Sequence, residues 1–482
     1  MAGIVSYGGY VPRYRIDRKL IYKAMGWLNP ATFMPGEKAV ANYDEDSLTM
    51  AVAAGVDCLT GVDKSEIDAV FYASTTPPYA ERQSAEIIAT ALDCRSDIRT
   101  ADLTDTLKSG TTAILSAADA VGAGSAREAL VCACDMRIGK AGSVQEEIFG
   151  DGAAAILIGG KDVIAELIGS FSVSYDFVDH WRGTGERFDQ QWEDRFIRDE
   201  GYTRFIVEAM KGLEKKCHVQ SNEITHVVYP CLYAGDFRKI ARDLGLSESQ
   251  VVIPLVGQVG YAGTADPLMH LVKALEEAGP GDRIAVIGYG TGADAILFEA
   301  TDRIEGLRGS RRGIGKHLAA RRELRSYEKI VAFRDLLSTE KGIRGEIVAR
   351  TALSELWRNR KQVLGLYGSK CTSCGTPQYP IQRVCVNPDC GAIDEMEPYC
   401  FSGRKGSLFT YTGDNLAYSP NPPAIYGFVD FEGGGRYWFD LTDVDLEELE
   451  TDMEVEMSFR KKYVDEQFGI HGYFWKAVPV MA

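Results

Sequence analysis

No run of eighteen or more apolar residues occurs in this 482-residue chain, although 45% of it is hydrophobic. No membrane-spanning helix is therefore expected. The opening MAGIVSYGGYVP lacks the basic start and apolar block of a secretory signal, and reads as a strand followed by a turn. Positive charge is in short supply: 53 Lys and Arg stand against 69 Asp and Glu, a net charge of −16. Such a balance argues against a nucleic-acid partner, because phosphate binding needs clustered cations. A local basic groove for a phosphorylated small molecule remains compatible with it. The eleven cysteines follow no regular framework and mostly lie in apolar runs, which points to a reducing, cytoplasmic setting.

A further absence concerns chemistry. The stretch Asp102–Val121, DLTDTLKSGTTAILSAADAV, leaves a polar strand end, passes a tight turn and becomes an Ala-rich helix. A helix this free of bulk can lie buried between two sheets with its first turn aimed into a pocket. A thiol placed at such a turn has its pKa lowered, and a developing oxyanion is steadied. That turn carries Leu107, which cannot act as such a nucleophile.

What is present is an α/β alternation over residues 1–170. Strands are expected at Gly3–Tyr7, Ala69–Ala73, Ile98–Asp102, Glu128–Ala133 and Ala153–Ile158, with helices at Asp46–Thr60, Ala80–Leu92 and Ser109–Gly122. The second part echoes the first. EIDAVFYAST at Glu66–Thr75 returns as EITHVVYPCL at Glu223–Leu232, and GDGAAAILIG at Gly150–Gly159 returns as GTGADAILFE at Gly290–Glu299. Matching order and position imply an internal duplication. Two similar halves, 1–170 and 171–305, would pack their central helices between two sheets in an α-β-α-β-α sandwich, with a pocket where the halves meet.

Four stretches give the first 300 or so residues a family likeness: GIVSYGGYVP, LVCACDMRIGKAGSVQEEIFGDGAAAILIG, DHWRGTGERF and VGQVGYAGTADPLMHLVKALEEAGPGDRIAVIGYGTGADAILF. With these the chain resembles the thiolase-like superfamily, in particular 3-hydroxy-3-methylglutaryl-CoA synthase and ketoacyl synthase III. The resemblance implies a CoA thioester as ligand and a dimeric core. It also implies a Cys nucleophile, a Glu acid/base, and a His and an Asn that polarise the thioester carbonyl. On this sequence those four positions fall at Leu107, Thr75, Pro230 and Gln258. All four roles are lost.

Substitutes can be named, each with a plainer alternative. Asp105 and Lys108 flank Leu107 and could form an acid/base pair, or simply a structural ion pair. Tyr79 and Tyr233 could donate to an enolate oxygen, or only pack. Cys231 follows Pro230 as a displaced thiol or a buried small hydrophobe. His180 shapes the pocket wall in the favoured reading, with a catalytic part as the minority one. Cys132 and Cys134 share one face of a buried strand and read as packed thiols.

From 306 to 368 the composition turns basic and loosely helical, reading as a connector that wraps the surface or reaches a neighbour. A ribbon follows over 369–398. In CTSCGTPQYPIQRVCVNPDC, Cys371 and Cys374 are separated by ten residues from Cys385 and Cys390. Two such knuckles can meet at a tetrahedral, structural zinc. Cys400 lies beyond them and reads as packed. The remainder, 399–482, has short alternating runs between glycines and acidic turns, as in an OB-fold barrel. Its acidity argues against oligonucleotides.

The ribbon and barrel together resemble OB-fold proteins that accompany acyl-CoA thiolases. The resemblance implies a hetero-oligomer completed by a thiolase-family catalytic subunit. Two functions follow: a synthase-like subunit without its own Cys, Glu and His, or a Cys-independent (retro-)aldolase acting on a β-hydroxyacyl-CoA.

Overall fold

The computed structural model describes residues 2–342 and 350–481. The chain divides into two compact units. One comprises Met1–Ala41, Asp46–Ile88 and Cys94–Ile330; the other comprises Asn42–Glu45, Ala89–Asp93 and Val331–Ala482. Among the described residues, no helix is long and apolar enough to cross a membrane.

The first unit is built on strands β1 (Gly3–Tyr10), β2 (Ile67–Ala73), β3 (Arg99–Leu103), β4 (Glu128–Asp135), β5 (Gly152–Gly159), β6 (Ala165–Ser174), β7 (His226–Val228), β8 (Arg283–Gly290) and β9 (Gly292–Ala300). They are hydrogen-bonded in the order β7-β8-β9-β6-β1-β5-β4-β2-β3. The hinge of this order is thin, because β1 and β6 share only the pairs Gly3↔Glu166 and Ile4↔Ala165. To one side run β1-β5-β4-β2-β3, to the other β6-β9-β8-β7. Equivalent neighbours have equivalent directions: β4 with β2 and β8 with β7 are parallel, while β5 with β4 and β9 with β8 are antiparallel. The counterpart of β3 in the second half is reduced to a single parallel bridge, Val227↔Val251. The duplicated segments of the sequence occupy matching places, as β2 and β7 and as β5 and β9.

Helices α1 (Ser47–Cys58), α2 (Ser84–Ala91), α3 (Ser109–Gly122), α4 (Thr203–Cys217), α5 (Ala234–Asp243) and α6 (Asp266–Glu277) complete the layers. The α3 helix touches α6 and strands of both halves, and so forms the central layer; α1 covers the first sheet and α4 the second. Small residues make this possible. At Gly110 on α3, an added Cβ would lie 2.4 Å from the Thr264 carbonyl oxygen. A starting N-cap is visible in the sequence at Asp46, whose carboxylate accepts from the backbone N–H of Leu48 and Thr49. The helix expected from Ala80 begins only at Ser84. Its first N–H groups, of Ser84 and Ala85, are capped from a distance by Asp102 at the end of β3 (2.7 and 2.8 Å).

The segment expected as a connector, 306–368, has residues 343–349 outside the described part. Its beginning belongs to the first unit. Asp57 accepts from the backbone N–H of Arg312 and Gly313, and Ile314 joins the apolar core.

The second unit holds a three-stranded ribbon of β10 (Tyr367–Cys371), β11 (Pro377–Gln378) and β12 (Met396–Cys400). Beside it stands a five-stranded sheet of β13 (Gly406–Asp414), β14 (Ala424–Phe431), β15 (Arg436–Asp440), β16 (Glu454–Asp465) and β17 (Ile470–Pro479), in the order β15-β14-β13-β16-β17. The bridge Leu441↔Ala477 closes it towards a barrel. Within this unit the early segment Asn42–Glu45 is gripped by charge. Arg460 meets Asp44, Glu45 and Asp443 at 3.4, 2.8 and 2.5 Å, and Lys476 meets Asp44 at 2.8 Å, all of these side chains being almost wholly buried.

Candidate functional site

The turn before α3 is fixed from three sides. The Thr106 hydroxyl engages the backbone N–H and hydroxyl of Thr291, each at 3.1 Å. Gly290, at the end of β8, lies against the same turn, where a Cβ would come within 2.8 Å of the Lys108 nitrogen. Lys108 itself is buried and forms an ion pair with Asp294 of β9 at 3.1 Å, and Thr111 and Thr112 donate to the other oxygen of that carboxylate. This corrects the expected pairing of Lys108 with Asp105. Asp105 is exposed and sits in the left-handed region at φ 71°.

Leu107 is 3% exposed and packs into an apolar cluster with Ile148, Phe149 and Tyr261, against which Leu232 and Val256 also rest. The head of α3 thus carries a buried hydrocarbon side chain in an apolar cluster. Thr75 sits at the end of β2, where its backbone N–H donates to Asp135 at 2.7 Å. Its buried hydroxyl makes no hydrogen bond. Asp135 also accepts from Ser74, Thr76 and the backbone N–H of Thr264, tying the β2 exit to the loop before α6. Gly263 allows this approach, since at φ 60° a Cβ would lie 2.2 Å from the Asp135 oxygen.

Pro230 is buried, and its carbonyl accepts from the Tyr202 hydroxyl. Cys231 beside it is buried, and burial, with Asp266 nearby, pushes its thiol up to about 12. This state of the thiol matches the reading of Cys231 as a buried small residue. Gln258 is exposed, on the turn that follows Leu255–Gly257. The residue of this loop that packs with Leu107 is Tyr261, three positions on. Tyr79 is engaged with Arg82, whose guanidinium donates to its hydroxyl at 2.6 Å and lies over its ring.

Tyr233 belongs to a polar wall. Its hydroxyl accepts from Gln191 at 3.2 Å and approaches Asp194 at 3.4 Å, while its ring meets Tyr202 edge-on at 5.7 Å. Burial and these acidic neighbours hold its phenol well above the ordinary range. His180 pairs across a two-strand ribbon with Gln191, and its Nδ1 lies 2.7 Å from Asp179 Oδ1. Burial alone would push the Asp179 carboxyl up, but His180 and the Tyr289 phenol outweigh it and hold it below the usual range. An open hollow of about 400 Å³, lined by Asp176, Phe177, Val178, Trp181, Trp192 and Phe196, flanks this segment.

Sequence reasoning missed the charged residues behind the wall. Arg137 and Asp189 form a buried pair at 2.6 Å, and Arg182 joins Asp189 at 3.0 Å and donates to the Thr75 carbonyl. A signal existed: Asp135 and Arg137 abruptly end the apolar run ALVCAC, at a strand's carboxyl end where α/β sites form. Glu147 was missed as well. It is buried near Lys38 and Arg18, one of its carboxylate oxygens makes no hydrogen bond, and burial pushes its carboxyl up to about 7.

The sulfur atoms of Cys371, Cys374, Cys385 and Cys390 all lie within 4.8 Å of one another. Cys371–Cys390 and Cys374–Cys385 are separated by 3.8 and 3.5 Å. Disulfide sulfurs would be about 2.05 Å apart. Four thiolates at about 2.3 Å from one zinc stand about 3.8 Å apart, which these separations fit. Gly375 and Gly391, at φ 78° and 60°, follow the second and fourth cysteines and turn the chain back at each knuckle.

A hydroxymethylglutaryl-CoA synthase of Methanopyrus kandleri is 35% identical over 316 residues, covering 64% of this chain and 89% of the relative. The chain belongs to the hydroxymethylglutaryl-CoA synthase family. The synthase of Methanocaldococcus jannaschii is 34% identical over 316 residues, covering 63% of this chain and 90% of its own length. Among solved structures, a hydroxymethylglutaryl-CoA synthase complexed with CoA superposes with a TM-score of 0.62 at 18% identity, over 73% of this chain and 94% of the other. The 3-oxoacyl-(acyl carrier protein) synthase III of Pseudomonas aeruginosa superposes with a TM-score of 0.56 at 18% identity, over 62% of this chain and 98% of the other. Beyond the synthase-family region, residues 358–394 match the rubredoxin-like zinc ribbon domain of ChsH2, and residues 401–460 match its C-terminal OB-fold domain.

Proposed function

We propose that this chain is an acyl-CoA-handling member of the synthase family that forms no acyl-enzyme of its own and completes a hetero-oligomeric thiolase-type C–C acyltransferase. The observation that carries the reading is Leu107, a buried hydrocarbon at the head of α3 with no thiolate to replace it. A CoA thioester fits the family fold, and a structural zinc fits the four-cysteine cluster. The partner in this reading is a thiolase-family subunit that supplies the nucleophilic Cys, with the ribbon and barrel serving assembly in a cytoplasmic complex.

A second reading, a Cys-independent lyase acting on a β-hydroxyacyl-CoA, draws support from the ordered His180–Asp179 pair and the tyrosines beside it. Such chemistry needs acid/base groups and an enolate-stabilising donor but no covalent intermediate. Radiolabelled acetyl-CoA decides the first point: the lone chain should carry no thioester-linked label. Adding a thiolase-family subunit with an intact Cys should then elicit C–C chemistry dependent on that Cys. Label on the lone chain would overturn the proposal, and cleavage of a β-hydroxyacyl-CoA by the lone chain would select the second reading.

A further inference from the structure

Large aromatic side chains are costly to leave in water, yet the first unit leaves several together. Trp181 and Trp192 are 43% and 60% exposed, and Phe196 is 41% exposed. With Asp176, Phe177 and Val178 they line the open hollow of about 400 Å³, which shares no residue with the Leu107 cluster. Its walls are held in place. Phe177 stacks on Phe196 at 4.9 Å with 19° between the ring planes, and meets Phe205 edge-on at 5.3 Å. Gly201 makes room for this ring, since a Cβ there would lie 2.4 Å from Phe177 Cε1. That glycine falls in a π-helical turn, Ile197–Tyr202, a rare form that recurs at functional sites. Trp181 pairs with Gln190 in a two-strand ribbon, and the Trp192 backbone N–H donates to the Asp179 carbonyl at 2.9 Å. Both indoles therefore stand on hydrogen-bonded backbone.

We propose that this hollow binds the trimethylammonium group of a small molecule. Four aromatic side chains and one carboxylate line it, and none of its six lining residues is a cation. Aromatic faces carry partial negative charge, Trp most strongly, and attract a cation placed over them. The arginines close by in sequence are engaged with acids of their own: Arg182 with Asp189 at 3.0 Å, Arg195 with Asp199 at 3.8 Å and Arg198 with Asp236 at 2.6 Å. The type of cation follows from the acceptors available. A primary ammonium brings three N–H donors, and a divalent metal needs several oxygen ligands, whereas Asp176 is the one side-chain acceptor in the lining. A quaternary ammonium has no N–H to satisfy. Its methyl groups can pack on the rings while its charge faces Asp176. A neutral ligand of the same shape would gain the apolar contact alone. The volume falls within the range of about 300–1,000 Å³ usual for small-molecule sites, which favours a free compound over a protein or membrane surface. Binding of this kind is independent of the acyl-CoA reading above.

The test compares choline with dimethylbutanol, its neutral isostere with carbon in place of the ammonium nitrogen, by calorimetry on the full-length chain. Choline should bind, and the neutral alcohol should bind about 10-fold more weakly or not at all. Trp192→Leu and Trp181→Leu should each weaken choline binding about 10-fold, with a smaller loss in Trp192→Phe, which keeps a ring. Asp176→Asn should weaken it several-fold and flatten its dependence on salt. Trp192 and Asp176 lie largely in solvent, so these variants should melt with the wild type. If Trp181→Leu melts early, the Trp192 and Asp176 variants carry the test. Equal binding of choline and the neutral alcohol overturns the proposal, as does choline affinity untouched by both Trp192→Leu and Asp176→Asn in folded protein. No heat from choline at tens of millimolar also overturns it. Phosphatidylcholine vesicles that sediment the chain while free choline fails to bind would assign the hollow to a membrane surface and overturn it equally. Each of these outcomes leaves the acyl-CoA reading where the labelling experiment puts it.

Discussion

Asp294→Ala is the perturbation that most directly tests how the site is held. The carboxylate lies 3.1 Å from the Lys108 ammonium, with only 3% and 11% of the two side chains exposed, and takes further hydrogen bonds from Thr111 and Thr112 at 3.1 and 2.7 Å. At an effective dielectric constant of about 20 the Coulomb attraction across this distance is about 5 kcal/mol. Its removal leaves a buried cation whose nearest remaining polar atoms, the Val173 carbonyl and the Ser174 hydroxyl, are 3.5 Å away. Breaking one side of such a pair costs about 3–5 kcal/mol, and that loss is expected in urea unfolding followed by tryptophan fluorescence. Lys108→Met combined with Asp294→Ala should recover most of it, because the stranded charge is then gone. A single variant that loses less than about 1 kcal/mol, or a double variant no more stable than the single, would refute this account of the α3 turn.

Three other outcomes follow from the same geometry. Elemental analysis should find one zinc per chain, and Cys371→Ala should lose it; a Cys371→Ala protein that retains full zinc would remove the four-cysteine assignment. Glu147→Gln should stabilise the chain at pH 8 by about 1 kcal/mol or more. Its carboxyl is raised to about 7 when folded, so wild-type stability falls as pH rises from the ordinary carboxylate range through 7, and the advantage of the variant should vanish by about pH 4. In the second unit, Arg460→Met should cost about 3–5 kcal/mol at pH 7. There burial would raise the Asp44 carboxyl, but Lys476 and Arg460 hold it below its ordinary value. This stabilisation is full above the ordinary carboxylate range and is lost as pH falls through the depressed value, so acid titration of both proteins should narrow the gap between them.

How much of this was legible in the sequence depends on how far apart the cooperating residues lie. The cysteine knuckles, the duplicated strands and the Ala-rich α3 are local patterns, and each was readable from spacing and residue type. The tight turn ahead of α3 was readable too, because KSGT is a local signal. The partner of Lys108 was not, since Asp294 lies 186 residues away and stands where the first copy of the repeat has Ala154. The exposure of Gln258 was not legible, because its place in a loop does not say which way the turn after Leu255–Gly257 aims it. The helix start at Ser84 was hidden because its cap, Asp102, comes from a later strand. The contact between His180 and Asp179 was not legible either, because the burial of Asp179 is set by surroundings that no local pattern reports.

The charged grip on Asn42–Glu45 has a consequence in time. Asp44 and Arg460 are separated by 416 positions. At about 5–20 residues per second, a ribosome that has just released Asp44 needs about 20–80 s more to deliver its counter-charge. Through that interval Asp44 and Glu45 must stay hydrated, because burying them alone would carry the full desolvation cost of unpaired carboxylates. The barrel strands that carry Arg460 and Lys476 are made long after this early loop and are also what withdraws it from water, so their delivery, and not the completion of the synthase-like region, marks when the loop can reach its native pairing.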